Sequence, residues 1–341
     1  MKTRFARFVL EHPGRLGMTI GAYAGLGLTG AAVEDIVTSA AAQTDATLAL
    51  HETFGTPVLL TAMDLSAEAE TFGSEVRLTK DEIPTVVGRR VTTRAAIDAL
   101  PAPRPGDKRT AVHLEAAREL VKRAGSAPVI GCLLGPFSLA GRLFGVGETL
   151  EATALEPGIV LALVEKTSAF LADYAAAFRA AGAAGVFLAE PAAGLLSPRA
   201  VGEFSTPFVR RILDAAQTEA FSLVYHNCGA RNVHLAKCLE CGAEVCHFGS
   251  PMDIVAALKE ADGRVIIGGN LDPAAVFLNG TPDAVAHKTA ELLEATAGQK
   301  TFIIASGCDL PPGTPLANLG AFYRAVSEFN EGTKDKSRLK A

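Results

Sequence analysis

The sequence of 341 residues is poor in charged and aromatic side chains and contains no tryptophan. Charged residues make up 20% of the chain and the formal net charge is −5, so there is no basic excess to bind nucleic acid or an anionic membrane surface. No apolar run approaches the about 18 residues that a membrane-spanning helix needs. We therefore expect neither a nucleic acid partner nor a membrane partner.

Cysteine is too scarce to form a disulfide scaffold. Six cysteines in a chain of this length indicate reduced thiols or metal ligands. The N-terminal segment combines basic residues with an apolar patch that is too short for a secretory signal and is interrupted at Glu11-His12-Pro13. From these features we expect residues 1–16 to form a short amphipathic helix and the protein to be cytoplasmic.

Hydrophobic residues, at 49%, are abundant enough for a large core, and many of them occur in eight short runs. These runs lack the alternation of a half-exposed strand, which indicates parallel strands that are covered on both faces. Helical patterns separate most of the runs, and the longest helix is predicted from about Pro157 to Ala181. The runs are residues 18–23, 57–62, 128–133, 185–189, 221–225, 243–248, 264–268 and 301–305.

Eight strands that alternate with helices predict a single α/β domain over residues 1–341, a (β/α)8 TIM barrel. Residues 73–110 interrupt the alternation after the second run. They contain strand-like pieces at 76–79 and 89–92, so we expect an inserted β-hairpin followed by a proline-rich loop. Residues 331–341 are expected to form a polar tail. A doubly wound open sheet is the alternative fold.

The most informative chemical feature is a histidine and two cysteines placed at strand ends. His226 and Cys228 follow the run 221–225, and residues two apart on an extended segment point to the same side. Cys308 follows the run 301–305. In a barrel, the carboxyl ends of the strands meet at the face where catalysis takes place. Two thiolates and one imidazole leave a zinc ion one coordination position short, which is typical of a catalytic zinc site.

Three other polar residues also end predicted strands and are candidates for catalysis. Glu190 is either a displaceable fourth zinc ligand, or a partner of a ligand, or a carboxylate that caps a helix or forms a salt bridge. Asp64 either faces the substrate or caps a loop. Asn270 follows two glycines, where the backbone can approach a ligand closely, or it is a turn residue.

The remaining candidates have a structural interpretation that competes with a functional one. Phe137 begins a helix, where it either lines the pocket or staples the helix to the chain before it. Cys238 and Cys241 form a C-x2-C pair within a helical pattern, and without a second such pair we expect them in the core. Cys246 and His247 are adjacent on one strand and face opposite sides. One of them points into the barrel, and we expect no ligand from either.

Several short segments carry a resemblance to a known family. Over about residues 15–330 the chain resembles the uroporphyrinogen decarboxylase superfamily, and within it the zinc-dependent methylcobamide:coenzyme M methyltransferases. The histidine–cysteine pair with the late cysteine is the specific part of this resemblance, and the other segments mark the superfamily. The segments are His51–Gly55, Ala62–Leu65, Gly135–Ala140, His226–Gly229, Gly269–Pro273, and Gly307–Asp309 with Asn318-Leu319.

The resemblance implies a (β/α)8 barrel in which His226, Cys228 and Cys308 hold zinc. It also implies methyltransferase activity that depends on this zinc. Zinc deprotonates a bound thiol at neutral pH, and a thiolate is a good nucleophile. The thiolate of coenzyme M or another acceptor takes the methyl group from a corrinoid cobalt, which leaves a thioether and Co(I). Nothing in the chain resembles a cobalamin-binding domain, so we expect the corrinoid on a separate partner protein that docks at the barrel mouth, including residues 136–147.

Departures from the family pattern bear on the remaining site residues. Asp64 matches the acidic position with which the decarboxylases hold pyrrole nitrogens. The decarboxylases have an arginine-rich N-terminal motif, whereas residues 21–25 of this chain are Gly-Ala-Tyr-Ala-Gly. The missing motif argues against porphyrinogen decarboxylation. We expect Tyr23 and Phe137 to contact the cofactor.

Three alternatives remain. Related barrels transfer a methyl group in the opposite direction, from a methoxy, methylamine or methyl halide donor to a corrinoid, with zinc acting as a Lewis acid on the donor. A porphyrinogen decarboxylase would need no metal. A non-catalytic zinc or tetrapyrrole binder would have a site closed by four protein ligands.

Overall fold

The computed structural model describes residues 2–338 and contains eight parallel strands in one nearly closed sheet. Each strand overlaps one of the eight predicted runs, and the predicted (β/α)8 barrel is confirmed. The strands are β1 (Gly17–Ile20), β2 (Leu59–Leu60), β5 (Val129–Leu134), β6 (Gly185–Ala189), β7 (Ser222–Asn227), β8 (Val245–Phe248), β9 (Ile266–Leu271) and β10 (Phe302–Asp309). Their spatial order is β1-β10-β9-β8-β7-β6-β5-β2.

Helices surround the sheet, and none in the described part of the chain combines the length and apolarity needed to cross a membrane. The longest runs from Pro157 to Ala180, as predicted. The helices are α1 (Arg4–Glu11), α2 (Leu26–Thr29), α3 (Val33–Thr38), α4 (Ala40–Phe54), α5 (Ala67–Thr71), α6 (Arg94–Asp98), α7 (Thr110–Arg123), α8 (Pro136–Phe144), α9 (Val146–Leu155), α10 (Pro157–Ala180), α11 (Pro198–Phe204), α12 (Thr206–Ala216), α13 (Leu235–Leu239), α14 (Ile254–Ala261), α15 (Pro282–Ala295) and α16 (Leu316–Arg338). Short helical turns cover Tyr23–Gly25, Pro191–Leu195, Asn232–His234 and Pro273–Leu278.

The barrel strands are mostly apolar because they lie between two hydrophobic cores. On β6, Phe187 and Ala189 pack inside the barrel, whereas Val186 and Leu188 pack against the surrounding helices. The same alternation on β7 directs Val224 inward and Leu223 outward. A strand that is buried on both faces in this way gives a continuous hydrophobic run in the sequence.

Helix α1 closes the N-terminal end of the barrel. Phe5, Ala6 and Val9 are buried in the inner core. The side chain of Thr3 caps the helix, and its hydroxyl group donates a hydrogen bond of 2.8 Å to Glu244, immediately before β8. The amphipathic helix expected near the N-terminus is therefore present, and it packs on the end of the barrel opposite to the carboxyl ends of the strands.

The predicted hairpin insertion is present, but the position of its second strand was predicted wrongly. Strands β3 (Glu75–Arg77) and β4 (Thr85–Val87) pair antiparallel, whereas residues 89–92 form no strand. The backbone N–H groups of Arg90 and Val91 instead donate to the carbonyl of Leu143, at 2.8 and 3.2 Å. This piece docks on α8 because Val91 is apolar and buried there.

At the other end of the chain, α16 continues through 331–338, so the described part of the predicted polar tail is helical. Residues 339–341 lie outside the described residues.

The segment Gly25–Gly30 has the G-x-G-x-x-G spacing of a dinucleotide-binding loop, but its glycines serve packing. A Cβ atom at Gly25 would lie 2.4 Å from the carbonyl oxygen of Ala46, so the close approach of α4 requires glycine. Gly30 ends α2 with a φ of 73°, which glycine adopts readily. With all eight strands of the main sheet parallel and nearly closed, the doubly wound alternative is wrong.

Candidate metal centre at the barrel mouth

Three soft ligands converge at the C-terminal end of the barrel. His226 is the second-last residue of β7, Cys228 follows that strand, and Cys308 lies near the end of β10. One ligand atom from each residue lies within 4.8 Å of the other two, and His226 Nε2 is 3.6 Å from Cys308 Sγ. Among the residues whose side chains the structure describes, this is the only such group of His, Cys, Asp and Glu. The structure thus brings together the three residues that the sequence predicts as metal ligands.

Glycines in the neighbouring loops allow the two cysteines to approach each other. A Cβ atom at Gly249, just after β8, would lie 2.2 Å from the carbonyl oxygen of Cys228. A Cβ atom at Gly307 would lie 3.0 Å from the backbone nitrogen of Ser250. A side chain at Gly249 would push the loop after β8 away from Cys228, and a side chain at Gly307 would push the same loop away from β10. Of these two glycines, only Gly307 is next to a ligand in the sequence.

A second histidine lies beneath the three ligands. His247 on β8 is paired in register with His226, and the two Nδ1 atoms are 2.9 Å apart. Of the adjacent pair on β8, His247 is therefore the residue that points into the barrel, whereas Cys246 packs in the outer core. The ring of Phe187 lies against both imidazoles, with centroid distances of 4.9 and 5.3 Å. These contacts hold both imidazoles in an apolar environment.

The hydrogen bond between the two cysteines shifts their pKa values in opposite directions. The hydrogen bond from Cys308 lowers the pKa of Cys228, against the effect of burial. The same hydrogen bond and burial raise the pKa of Cys308 to about 12. Burial and the neighbouring His226 hold the pKa of His247 well below its usual value, against the opposing effect of the Ser306 backbone. Two cysteine sulfurs and the imidazole of His226, next to a neutral His247, are a suitable donor environment for a soft divalent cation.

Glu190 is not part of this group. Its carboxylate is fully buried and accepts hydrogen bonds of 2.9 Å from the backbone N–H groups of Phe137 and Ser138 and from the hydroxyl group of Ser205. These N–H groups belong to the first turn of α8, which has no other partners for them and whose dipole favours a negative charge there. Of the roles predicted for Glu190, the structure therefore shows a carboxylate that caps a helix, and it does not show a fourth ligand of the metal site.

Asp64 is held in a buried ion-pair network. Arg109 donates to one carboxylate oxygen of Asp64 and to Glu70 at 2.7 Å, and Ser66 donates to the other oxygen of Asp64 at 2.6 Å. His113 Nε2 lies 3.7 Å from Asp64. Burial raises the pKa of Asp64, but the contacts with His113 and Arg109 outweigh burial and lower it overall. Its partners thus fix Asp64 as a charged group of the scaffold beside the mouth.

Asn270 lies at the end of β9 and organises the loop after β8. Its amide group donates to the carbonyls of Gly249 and Met252, at 3.1 and 2.5 Å. Because Gly249 packs on Cys228, Asn270 supports the ligand loop from below. A direct catalytic role for Asn270 stays a prediction.

The two residues predicted to contact the cofactor are both buried. Phe137 belongs to the outer core between the sheet and the helices, so the prediction that it lines the pocket is wrong and the stapling alternative describes it. The backbone N–H group of Phe137 donates to Glu190, and its ring packs in the outer core. Tyr23 packs with Ile36 and Ala62, and its hydroxyl group has no hydrogen-bond partner among the described residues. A cofactor contact by Tyr23 stays a prediction.

Glu68 was not predicted from the sequence, and it is a buried carboxyl group near Asp64. One of its oxygens accepts from the backbone N–H group of Leu134 at 2.8 Å, and the other has no partner among the described residues. Burial raises its pKa from 4.5 to about 7. The folded chain therefore holds this proton more tightly than the unfolded chain does, so stability is lost as pH rises between about 4.5 and 7.

We predict that Glu68→Gln removes this pH dependence. The measured quantity is the free energy of unfolding of the variant minus that of the unaltered protein. From pH 4 to pH 8 this difference should rise by about 3 kcal/mol, because a shift of one pKa unit corresponds to about 1.4 kcal/mol. Urea unfolding at several pH values measures the difference. Exposed Glu52→Gln is the control, for which the difference should stay constant. If the difference in free energy of unfolding for Glu68→Gln were also the same at every pH, ionisation of the buried Glu68 carboxyl group would not destabilise the folded protein.

The similarity of the chain to known proteins agrees with this geometry. The sequence profile of the family described as Uroporphyrinogen decarboxylase (URO-D) matches residues 14–329. The chain belongs to the uroporphyrinogen decarboxylase family. The family predicted from the sequence is confirmed.

Similar proteins in this family include methyltransferases and decarboxylases. The methylcobamide:CoM methyltransferase MtbA of Methanosarcina acetivorans is 29% identical over 286 residues, 82% of each chain. A methylated-thiol–coenzyme M methyltransferase of Methanosarcina mazei is 30% identical and covers 83% of this chain and 76% of its own. The uroporphyrinogen decarboxylase of Pseudomonas paraeruginosa is 28% identical over 70% of each chain. These similarities confirm the prediction of an enzyme of the methyltransferase class.

Solved structures share the fold. A methyltransferase from Methanosarcina mazei superposes with a TM-score of 0.85 at 24% identity, over 96% of this chain and 98% of the other. A B12-independent methionine synthase from Shewanella superposes with a TM-score of 0.56 at 15% identity, over 88% and 89% of the two chains. At these identities the superpositions establish the barrel fold alone.

Proposed function

We propose that this protein is a zinc-dependent methyltransferase that moves a methyl group between a corrinoid, carried by a separate protein, and a small thiol. The observation that carries the proposal is the convergence of His226, Cys228 and Cys308 at the open end of the barrel. The similarity to two enzymes named as coenzyme M methyltransferases supports the thiol and the corrinoid as reactants.

The donor set fits zinc. Two cysteine sulfurs and one imidazole are the ligand types of catalytic zinc sites, and three ligands leave one position for a substrate. His226 would bind through Nε2, because its Nδ1 contacts His247. Both cysteines are only partly buried, so a substrate can reach them from the mouth. When bound, zinc would supply a Lewis-acid position at which a thiol loses its proton and remains nucleophilic.

The surroundings of Asp64 argue against porphyrinogen decarboxylation. Both of its carboxylate oxygens already accept hydrogen bonds, one from Arg109 and the other from Ser66. A carboxylate held in this way has little capacity left to bind pyrrole N–H groups. The ligand set, in contrast, is compatible with methyl transfer in either direction.

The experiment that tests the proposal combines zinc-loaded protein, methylcobalamin and a panel of small thiols including coenzyme M. We expect the cobalt absorption to change from the methylated to the Co(I) form in the presence of at least one thiol, with the methyl thioether detected by mass spectrometry. Turnover with a methoxy, methylamine or methyl halide donor and Co(I) corrinoid, without any thiol reaction, would instead establish the reverse direction. Decarboxylation of a porphyrinogen by metal-free protein would overturn the proposal.

An apolar patch on the rim of the barrel supports docking of a partner protein. Leu195, Val233 and Val255 lie in the segments after β6, β7 and β8, and their exposed fractions are 63%, 68% and 48%. We call these three residues the rim patch. Exposed aliphatic side chains grouped on one face are typical of protein interfaces.

The loops of the rim patch are bonded to one another. His234 Nε2 contacts the carbonyl of Leu196 at 3.0 Å. Asn232 and Asp253 form two hydrogen bonds, of 3.0 and 2.9 Å. Gly194 packs directly on Gly229, next to Cys228, so the patch borders the ligand loop. In contrast, the predicted docking segment 136–147 is mostly buried in α8 and is not a suitable surface.

We predict that Leu195→Asp and Val233→Asp each weaken the use of the partner protein. A charge placed in an apolar contact should raise the apparent KM for a corrinoid-loaded carrier protein by about tenfold, the typical cost of losing an interface contact of 1–2 kcal/mol. The rate with free methylcobalamin should fall much less. Leu10→Asp on α1, at the opposite end of the barrel, is the control and should change neither rate. Equal losses with carrier and with free methylcobalamin would exclude the rim patch as the docking surface.

A further inference from the structure

The contact between two buried imidazoles restricts the tautomers of both rings. His226 Nδ1 and His247 Nδ1 are 2.9 Å apart, which is a hydrogen-bond distance, and both residues are almost completely buried. A neutral imidazole has one donor nitrogen and one acceptor nitrogen. One of the two Nδ1 atoms must therefore carry the proton and the other must accept it.

The position of His226 decides which nitrogen is the donor. Its Nε2 faces Cys308 Sγ at 3.6 Å and is the atom available to a metal ion, so Nε2 must keep its lone pair. The proton of His226 then lies on Nδ1 and is donated to His247 Nδ1. We infer that His247 is the positioning residue that fixes the tautomer and ring orientation of the metal ligand His226, an inference that rests on the proposed zinc function.

The barrel is built to hold His247 in this position. Register pairing sets His247 between His226 on β7 and Gly268 on β9. A Cβ atom at Gly268 would lie 2.9 Å from His247 Cδ2, so a larger residue there would displace the ring. Phe187 packs against the ring from β6 at a centroid distance of 5.3 Å. Strands from three sides thus determine the orientation of His247.

The interior below His247 indicates that the residue orients the ligand and does not relay protons. Its Nε2 has no partner within hydrogen-bond distance among the described residues. The Ser306 backbone is near the ring, and the side chains lining the small cavity beside it include Phe5, Met18 and Ile303. None of these side chains can accept a proton. Metal-binding histidines are more often supported by a carboxylate or a carbonyl group. A neutral imidazole supports His226 without adding negative charge to a site that already has two cysteine sulfurs.

The test compares His247→Asn with His247→Leu. The two side chains have nearly the same shape, but only asparagine offers an oxygen acceptor close to the position of Nδ1. Competition with a chromophoric chelator gives the zinc dissociation constant of each protein, and the visible spectrum of the cobalt(II)-substituted protein reports the ligand geometry. Thermal unfolding of the metal-free proteins controls for general damage.

We expect His247→Leu to weaken zinc binding by about 10- to 100-fold, the usual effect of removing the partner of a metal-binding histidine. It should also change the cobalt spectrum. His247→Asn should stay within about threefold of the unaltered protein, and the two metal-free variants should unfold at similar temperatures. Equal affinities for the two variants would overturn the inference, whether both are weakened or neither is. If the unaltered protein itself takes up no zinc, the proposed function fails together with the inference.

Discussion

Cys308→Ala is expected to lower the zinc content of the purified protein from about one ion per chain to near zero and to reduce methyl transfer to about 1% or less. Cys308 supplies one of three ligands from a strand that is distant in sequence from the other two, so its loss leaves a two-residue site. Changes outside the ligand set already cost about 10- to 100-fold in metal affinity, and removal of a ligand should cost more. Metal analysis and a thiol-dependent demethylation assay measure the two effects.

Cys132→Ala is the matched control for this prediction. Cys132 also lies in the barrel interior, on β5, but its sulfur is not in the ligand group. The control should keep its zinc and its activity, with a small loss of stability from the lost packing. Cys228→Ala should behave like Cys308→Ala. Full zinc content in both Cys228→Ala and Cys308→Ala would show that the metal, if present, is held elsewhere.

The second large effect is expected from Arg109→Met, which should lower the free energy of unfolding by about 3–5 kcal/mol at neutral pH. Arg109 is almost fully buried and pairs with buried Asp64 and partly buried Glu70. Methionine fills a similar volume but leaves the Asp64 carboxylate buried without its cation. Removing one partner of a buried pair is costly because the remaining charge loses its compensation. Urea unfolding measures the loss, and zinc content should be unchanged.

The control for Arg109→Met lies at the opposite end of α7, the helix whose N-cap is Arg109. Arg123 pairs with Asp45 at 2.8 Å, but both side chains are about half exposed, so Arg123→Met should cost less than about 1 kcal/mol. The double variant Asp64→Asn with Arg109→Met should recover part of the stability, because the isolated charge is then absent. If Arg109→Met is as mild as Arg123→Met but abolishes methyl transfer, Asp64 and Arg109 act on the substrate and not on the scaffold.

Much of the fold could be predicted because the barrel strands are buried on both faces. Runs such as 185–189 and 301–305 contain only apolar and small residues, and this pattern has few explanations other than a covered parallel sheet. The hairpin was harder, because β3 and β4 have three residues each and none of these residues is buried. Residues 89–92 look like a strand because Val91 is apolar, but Val91 is buried by docking on α8.

The candidate site was predictable where side-chain direction follows from strand period. His226 and Cys228 are two residues apart, so their convergence could be expected. Cys308 could be added because it also follows a predicted strand, and the family resemblance implies the same three ligands. Glu190 also ends a strand, but its direction is set by the N–H groups of α8, which a sequence pattern does not reveal. The contact of His247 with His226 depends on the register between β7 and β8, which is fixed only in the folded sheet.

X-ray absorption at the zinc edge of the loaded protein, with and without a thiol substrate, tests the central claim most directly. The account predicts two sulfur neighbours at about 2.3 Å and one imidazole nitrogen at about 2.0–2.1 Å from the protein, and a third sulfur neighbour once the thiol is added. A zinc ion without sulfur neighbours, or one whose surroundings do not change with any thiol, would contradict a catalytic site formed by His226, Cys228 and Cys308.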